Sequence, residues 1–138
     1  MKRQGILNSD IARVLSYMGH TDRLCIGDCG LPIPDNVERI DLSLKLGVPR
    51  FIDVLEEVGS DMKIEKVVLA EEMKTQNPEV LDEVLNFLKE NETGFKIDVE
   101  FVSHTKLKEF SKDCKAVIRT GETTPFANII LQSGCIFG

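Results

Sequence analysis

No stretch of the 138 residues approaches the roughly 20 consecutive apolar residues that a membrane-spanning helix requires, so no membrane insertion is expected. The N-terminal segment MKRQGILNSDIARVL opens with Lys2 and Arg3, but Asn8, Ser9, Asp10 and Arg13 interrupt any apolar core of signal-peptide length. The expected location is therefore the cytoplasm. No Lys/Arg cluster and no aromatic-basic interleaving stands out, and 23 acidic against 17 basic residues leave a net charge of -6. A phosphate backbone would find no electrostatic footprint, and nucleic acid is not expected as a partner. The four cysteines, Cys25, Cys29, Cys114 and Cys135, form no CxxC pair and are expected to be ordinary thiols in a reducing compartment. GxGxxG after the first strand, GxxxxGK[ST], GxSxG and HExxH are all missing, which removes the usual signals of nucleotide cofactors, serine hydrolases and zinc proteases.

What is present is a soluble, evenly patterned chain: 42% of its residues are apolar and 29% charged, with no internal repeat and no low-complexity linker. Its length suits one domain, residues 1–138. Asn8 or Ser9 can cap a helix carrying Ile11, Val14, Leu15 and Met18, which Gly19 would stop. RLCIGD reads as a buried strand and RIDLSL, after the loop GLPIPDN, as a half-buried one. A helix is expected beyond Pro49, a strand at IEKVVLA, and a strongly amphipathic helix opened by Pro78 and stopped by Gly94. KIDVEFV, KLKEFSKD, KAVIRT and FANIILQSG complete an alternation of strands and helices. That alternation predicts an α/β fold: a single three-layer domain whose mostly parallel sheet is flanked by helices.

Ligands of open parallel sheets bind beyond the carboxyl ends of the strands. Asp28 follows the strand RLCIG, His104 follows KIDVEFVS, and the turn TGETTPFAN follows KAVIR, whereas His20 precedes a strand. The two histidines are the side chains whose ordinary pKa lies near neutrality; Asp28 can accept from hydroxyls, and Asn128 can donate and accept. Such a set suits a neutral, polyhydroxylated ligand. Each residue also has a structural reading: His20 beside a helix C-terminus, Asp28 capping the turn before Pro32, His104 at a helix start, and Asn128 satisfying backbone groups. Glu71 and Glu72 are most simply first-turn carboxylates.

LNSDIARVLSYMGHTDRLCIGDCGLPIP, RIDLSLKLGVPRF and IRTGETTPFANIIL together resemble the D-ribose pyranase family, related to the fucose mutarotases, over essentially the whole chain. The resemblance implies an α/β fold, a homodecamer of stacked pentamers, and cofactor-free interconversion of the pyranose and furanose forms of D-ribose. By position it implies His20 as general acid, and Asp28, His104, Phe126, Ala127 and Asn128 as sugar-binding residues, with no metal. The family usually carries Tyr where this chain has Phe126, so one hydroxyl expected at the sugar is missing. Fucose or another monosaccharide as substrate, and a non-catalytic ribose-binding accessory role, are the alternative expectations.

Overall fold

Asn8 begins the first helix, α1 (Ser9–Tyr17), by accepting the Ile11 amide on its side chain at 3.0 Å, which satisfies one of the helix's free N–H groups. The computed structural model describes residues 1–137. After α1 come β1 (Arg23–Gly27), β2 (Glu38–Asp41), α2 (Phe51–Ser60), β3 (Ile64–Ala70), the short α3 (Met73–Gln76) and α4 (Pro78–Glu90). β4 (Asp98–Val102), α5 (His104–Ser111), β5 (Ala116–Arg119) and β6 (Ile129–Ser133) complete the order.

The strands form one six-stranded sheet in the order β2-β5-β1-β6-β3-β4. β2 and β1 each run parallel to β5, and β3 runs parallel to β4, as the α/β pattern predicts. β6 is inserted antiparallel between β1 and β3, pairing Ile129 with both Ile26 and Leu69. The sheet is thus mixed, with its single reversed strand in the middle.

Successive strand residues point to opposite faces, so a run of consecutive buried residues requires cover on both. Leu24, Cys25 and Ile26 of β1 are fully enclosed, as are Ile129, Ile130 and Leu131 of β6. Helices therefore cover both faces of the central strands, which is the three-layer arrangement. The edge strands β2 and β4 are more exposed and alternate in burial or open towards solvent. α4 buries Leu81, Val84 and Leu88, at helical spacing, in the same core.

β6 enters the sheet at the end where β1, β3 and β4 leave it. The N-terminal end of β6 consequently lies beside the carboxyl ends of its neighbours. Residues 126–128, just ahead of β6, fall among the residues that follow β1, β3 and β4.

Candidate active site

Asp28 is the first residue past β1, and two contacts fix it. Its amide donates to Asn128 Oδ1 at 2.9 Å, and its Oδ1 accepts the Gly30 amide at 2.9 Å. The second contact is the turn-capping role read from the sequence; it leaves the other carboxylate oxygen without a hydrogen-bond partner among the described residues. Gly27 makes the first contact possible, because a Cβ there would stand 2.7 Å from Leu31 Cδ2 and 3.1 Å from Asn128 Oδ1. A side chain at this position would clash first with Leu31 and would crowd the Asn128 side chain that holds Asp28.

The loop carrying Phe126, Ala127 and Asn128 is tied down from three directions. Glu122 Oε1 accepts the Phe51 amide of α2 at 3.0 Å, its Oε2 accepts the Thr124 hydroxyl at 2.8 Å, and its carbonyl accepts the Cys29 amide at 2.9 Å. Asn77, buried between α3 and α4, donates to Thr124 Oγ1 and to the Pro125 carbonyl, both at 2.9 Å. Arg119, at the end of β5, donates to the Cys29 carbonyl at 3.1 Å and to Asp41 and Ser43. Neither Asn77 nor Glu122 was singled out from sequence. Their partners lie 47–48 and 71 residues away, a separation no local pattern reveals.

His104 opens α5, whose N-cap Ser103 accepts the Lys106 amide. The His104 backbone amide donates to both carboxylate oxygens of Glu72 at 3.1 Å. Glu72 thus works across two elements, beyond the first-turn role expected of it; Glu71 pairs with Lys74 at 3.0 Å. The His104 ring meets Phe126 edge-on, with centroids 5.0 Å apart. Burial holds the imidazole pKa below its ordinary value, Lys108 adds to the depression, and Glu72 and Asp28 oppose it. At neutral pH the ring is uncharged.

Two buried atoms in this cluster have no hydrogen-bond partner: His104 Nδ1 and Asn128 Nδ2. Folded proteins pair nearly all such atoms, because an unsatisfied buried polar group costs about 1–3 kcal/mol. Here they belong to the residue that holds the Asp28 amide and to the ring that meets Phe126. Asn128 therefore combines both readings made of it, since its oxygen serves the backbone while its amide nitrogen is unused.

His20 lies at the other end of β1. Thr21, next to it, donates its amide to the Ser133 carbonyl at the far end of β6. Five strand residues at roughly 3.3 Å each place His20 and Asp28 about 17 Å apart along β1. The structure brings Asp28, His104, Phe126, Ala127 and Asn128 together and keeps His20 of the same chain away from them. His20 Nε2 meets Glu65 Oε2 at 2.8 Å, and Glu65 Oε1 accepts from Gln132, whose own oxygen accepts from Arg23. Hydrogen bonds from Gln132 and then from His20 hold the Glu65 carboxyl below its ordinary pKa. His20 is thus oriented by an ionised carboxylate from β3, in place of the helix-end interaction read from the sequence. Glu65 was not singled out from sequence, because its place in IEKVVLA reads only as a strand position.

Thr21 (φ 71) and Phe126 (φ 58) are the non-glycine residues with positive φ among the described residues. That conformation costs such residues on the order of 1–3 kcal/mol and is concentrated at functional sites. One stands beside His20 and the other inside the Asp28 cluster. The thiols show no comparable feature: Cys25 and Cys114 are buried, burial raises the pKa of both, and that of Cys114 reaches about 12. Among the described residues no group of three or more His, Cys, Asp or Glu side chains is placed to hold a metal ion.

Fold and site together define an α/β protein that presents a polar, partly unsatisfied cluster of side chains at the carboxyl edge of its sheet, with an oriented imidazole at the opposite edge. The chain belongs to the RbsD / FucU transport protein family, whose family model matches residues 1–136. It is 56% identical over 134 residues to a protein of Streptococcus uberis named D-ribose pyranase, covering 97% of this chain and 98% of that one. A D-ribose pyranase of Bacillus cytotoxicus is 54% identical over 137 residues, with 99% and 100% covered. Among solved structures, Bacillus subtilis RbsD complexed with D-ribose superposes with a TM-score of 0.92 at 47% identity, covering 99% of this chain and all of that one. A fucose mutarotase of Streptococcus pneumoniae in complex with L-fucose has a TM-score of 0.80 at 22% identity, with 95% of each chain covered, a likeness of fold alone.

Proposed function

We propose that this protein is an isomerase that interconverts the pyranose and furanose forms of D-ribose, binding the sugar through Asp28, His104, Phe126, Ala127 and Asn128. The observation that carries this reading is the pair of unpartnered buried atoms, His104 Nδ1 and Asn128 Nδ2, in the cluster where the Asp28 amide is held by Asn128. A sugar hydroxyl both donates and accepts, so it can satisfy an amide N–H, an imidazole nitrogen and a carboxylate at once. The names of the full-length relatives and the ribose bound in the Bacillus subtilis structure supply the identity of the sugar. Phe126 offers its ring to the sugar without a hydroxyl.

Ring opening of a cyclic hemiacetal needs a proton delivered to the ring oxygen and one removed from the anomeric hydroxyl; closure through another hydroxyl changes the ring size. Protons are the only species exchanged. His20 supplies the ring-oxygen proton in this reading, and Glu65 holds its imidazole on Nε2, leaving Nδ1 to face the sugar. A positioned acid or base contributes ~100- to 10,000-fold, which suits a reaction that already proceeds slowly in water.

The separation along β1 supports a pocket completed by His20 of a second copy. Assembly into rings, and stacking of two five-membered rings, follows from the family resemblance. Leu44 and Leu46, 80% and 79% exposed on one turn, are apolar surface of the kind such contacts cover. A cytoplasmic setting fits the four free thiols. NMR exchange spectroscopy on D-ribose with catalytic amounts of the protein tests the function: faster transfer of magnetisation between pyranose and furanose signals is expected. Binding without faster exchange would instead establish the accessory sugar-binding role, and faster exchange of fucose alone a different substrate.

A further inference from the structure

The reaction needs a proton acceptor as well as a donor, and the residues described so far leave that part unfilled. Three groups in the Asp28 cluster can accept a proton or hydrogen bond: the Asp28 carboxylate, the Asn128 side-chain oxygen and the His104 imidazole. Asn128 Oδ1 is occupied by the Asp28 amide, and an amide oxygen is a negligible base. Asp28 has one oxygen committed to Gly30, and an ordinary carboxylate is a weaker base than imidazole by about 2–3 pK units.

His104 differs from both. Its backbone is pinned by Glu72, its ring is wedged against Phe126, and its Nδ1 is enclosed with no hydrogen-bond partner among the described residues, so that nitrogen is not spent on the protein. Charged groups approach it from three elements: Lys108 from its own helix, Glu72 at the head of α3, and Asp28 beyond β1. The net result, set first by burial, is a ring that stays unprotonated through neutrality. An efficient base needs to be unprotonated at the operating pH and near it in strength.

We propose that His104 is the catalytic base that takes the proton from the anomeric hydroxyl, paired with His20 as the acid at the ring oxygen. This rests on the pyranase reading above. The two histidines then complete a balanced cycle. On opening, the anomeric O–H proton passes to His104, the anomeric carbon forms a carbonyl, its bond to the ring oxygen breaks, and His20 protonates that oxygen. On closing, a different hydroxyl attacks the carbonyl carbon and gives its proton to the now neutral His20, while His104 returns its proton to the anomeric oxygen. Both imidazoles end as they began, one charged and one neutral.

The test uses the full chain and D-ribose. His104→Gln retains a side chain able to hydrogen-bond the sugar but unable to hold a proton. Exchange between ring forms should fall at least ~100-fold, while ribose affinity by calorimetry changes less than tenfold. In His104→Gly, added imidazole should restore part of the rate. The wild-type rate should fall as pH drops through a value below the ordinary 6.5 of histidine, and this limb should be gone in His104→Gln. Exchange unchanged in His104→Gln, or rate and affinity lost in equal measure with no imidazole rescue, overturns the proposal. If both variants fail to fold, the wild-type profile decides: no acid limb below 6.5 overturns it. Absence of exchange catalysis by the wild type would instead overturn the pyranase reading itself.

Discussion

The two ends of β1 treat histidine in opposite ways. Past the carboxyl end, His104 is half-buried, uncharged at neutrality, and carries a ring nitrogen left unpaired inside the fold, as is Asn128 Nδ2 of the same cluster. Before the amino end, His20 has 53% of its side chain exposed, and its ring is bonded to an ionised carboxylate that is itself held by a glutamine. A side-chain contact this exposed adds little to stability, so its evident effect is orientation. In the proposed function, one end binds the sugar without an acid, and the other holds the acid without a binding site. The proposed symmetric assembly would join them, because an interface bringing one copy's amino end to another's carboxyl end would repeat at every equivalent position.

The largest expected effect comes from removing the exposed histidine. His20→Ala should slow ring exchange by ~100- to 10,000-fold and leave ribose binding measurable, since the polar pocket at the other end is untouched. Loss of both together would mean that the two ends do not divide binding from catalysis. Asp28→Ala should do the reverse. It removes charge-assisted hydrogen bonds worth about 1.5–3 kcal/mol, or roughly 10- to 150-fold in affinity. Unchanged affinity would take Asp28 out of the pocket.

Combining the two variants at a ribose concentration low enough that the weak binding of Asp28→Ala leaves it nearly inactive sharpens the comparison further. If a pocket draws His20 from one copy and Asp28 from another, random mixed assemblies contain about a quarter wild-type pockets, and activity returns in proportion. If both residues serve one chain's pocket, through a segment that bends more in solution, the mixture stays inactive. Mass spectrometry of the mixed species establishes that subunits have exchanged, so silence then counts against the shared pocket.

The buried histidine also predicts how the fold responds to acid. His104 has a lower pKa folded than unfolded, so the fold favours the neutral ring. Its contribution to stability is complete above the unfolded value and is lost as pH falls through the lowered folded value. Urea midpoints should therefore fall more steeply between neutrality and pH ~5 in the wild type than in His104→Gln. Parallel loss in the two proteins would show that the ring is not held neutral by burial.

Much of this was legible in the sequence, and what was not has physical reasons. IEKVVLA and the helix opened by Pro78 were recognisable because burial imposes a local pattern there, and both appear as β3 and α4. The strand expected to run through Leu44 ends at Asp41, where Arg119 and Ser43 hold the carboxylate and the chain turns away. The four-residue α3 is too short to carry a period. The reversal of β6 could not be read from FANIILQSG, since direction is a property of its neighbours; yet that reversal is what carries Phe126 and Asn128 to the carboxyl edge. Site residues whose meaning is local, such as Asp28 after its strand, could be picked out. Glu65, whose partner His20 is 45 residues distant, could not.

The smallest effect belongs to Phe126, where the family resemblance implies a tyrosine. Phe126 holds a left-handed backbone conformation (φ 58), and its ring edge lies 5.0 Å from His104 by centroids, so its position is set by the turn and not by a side-chain hydrogen bond. Phe126→Tyr adds a hydroxyl at the far end of the ring without altering that backbone. If the hydroxyl reaches the sugar, the added hydrogen bond is worth about 1 kcal/mol, or roughly fivefold in affinity or exchange rate for D-ribose. If instead the pocket has closed around the bare ring, the hydroxyl is buried without a partner and costs about the same or more. Measuring both sugars separates these cases. A gain for ribose but not fucose means the pocket is still shaped for ribose, and a loss for both means the residues around Phe126 have adapted to its absent hydroxyl.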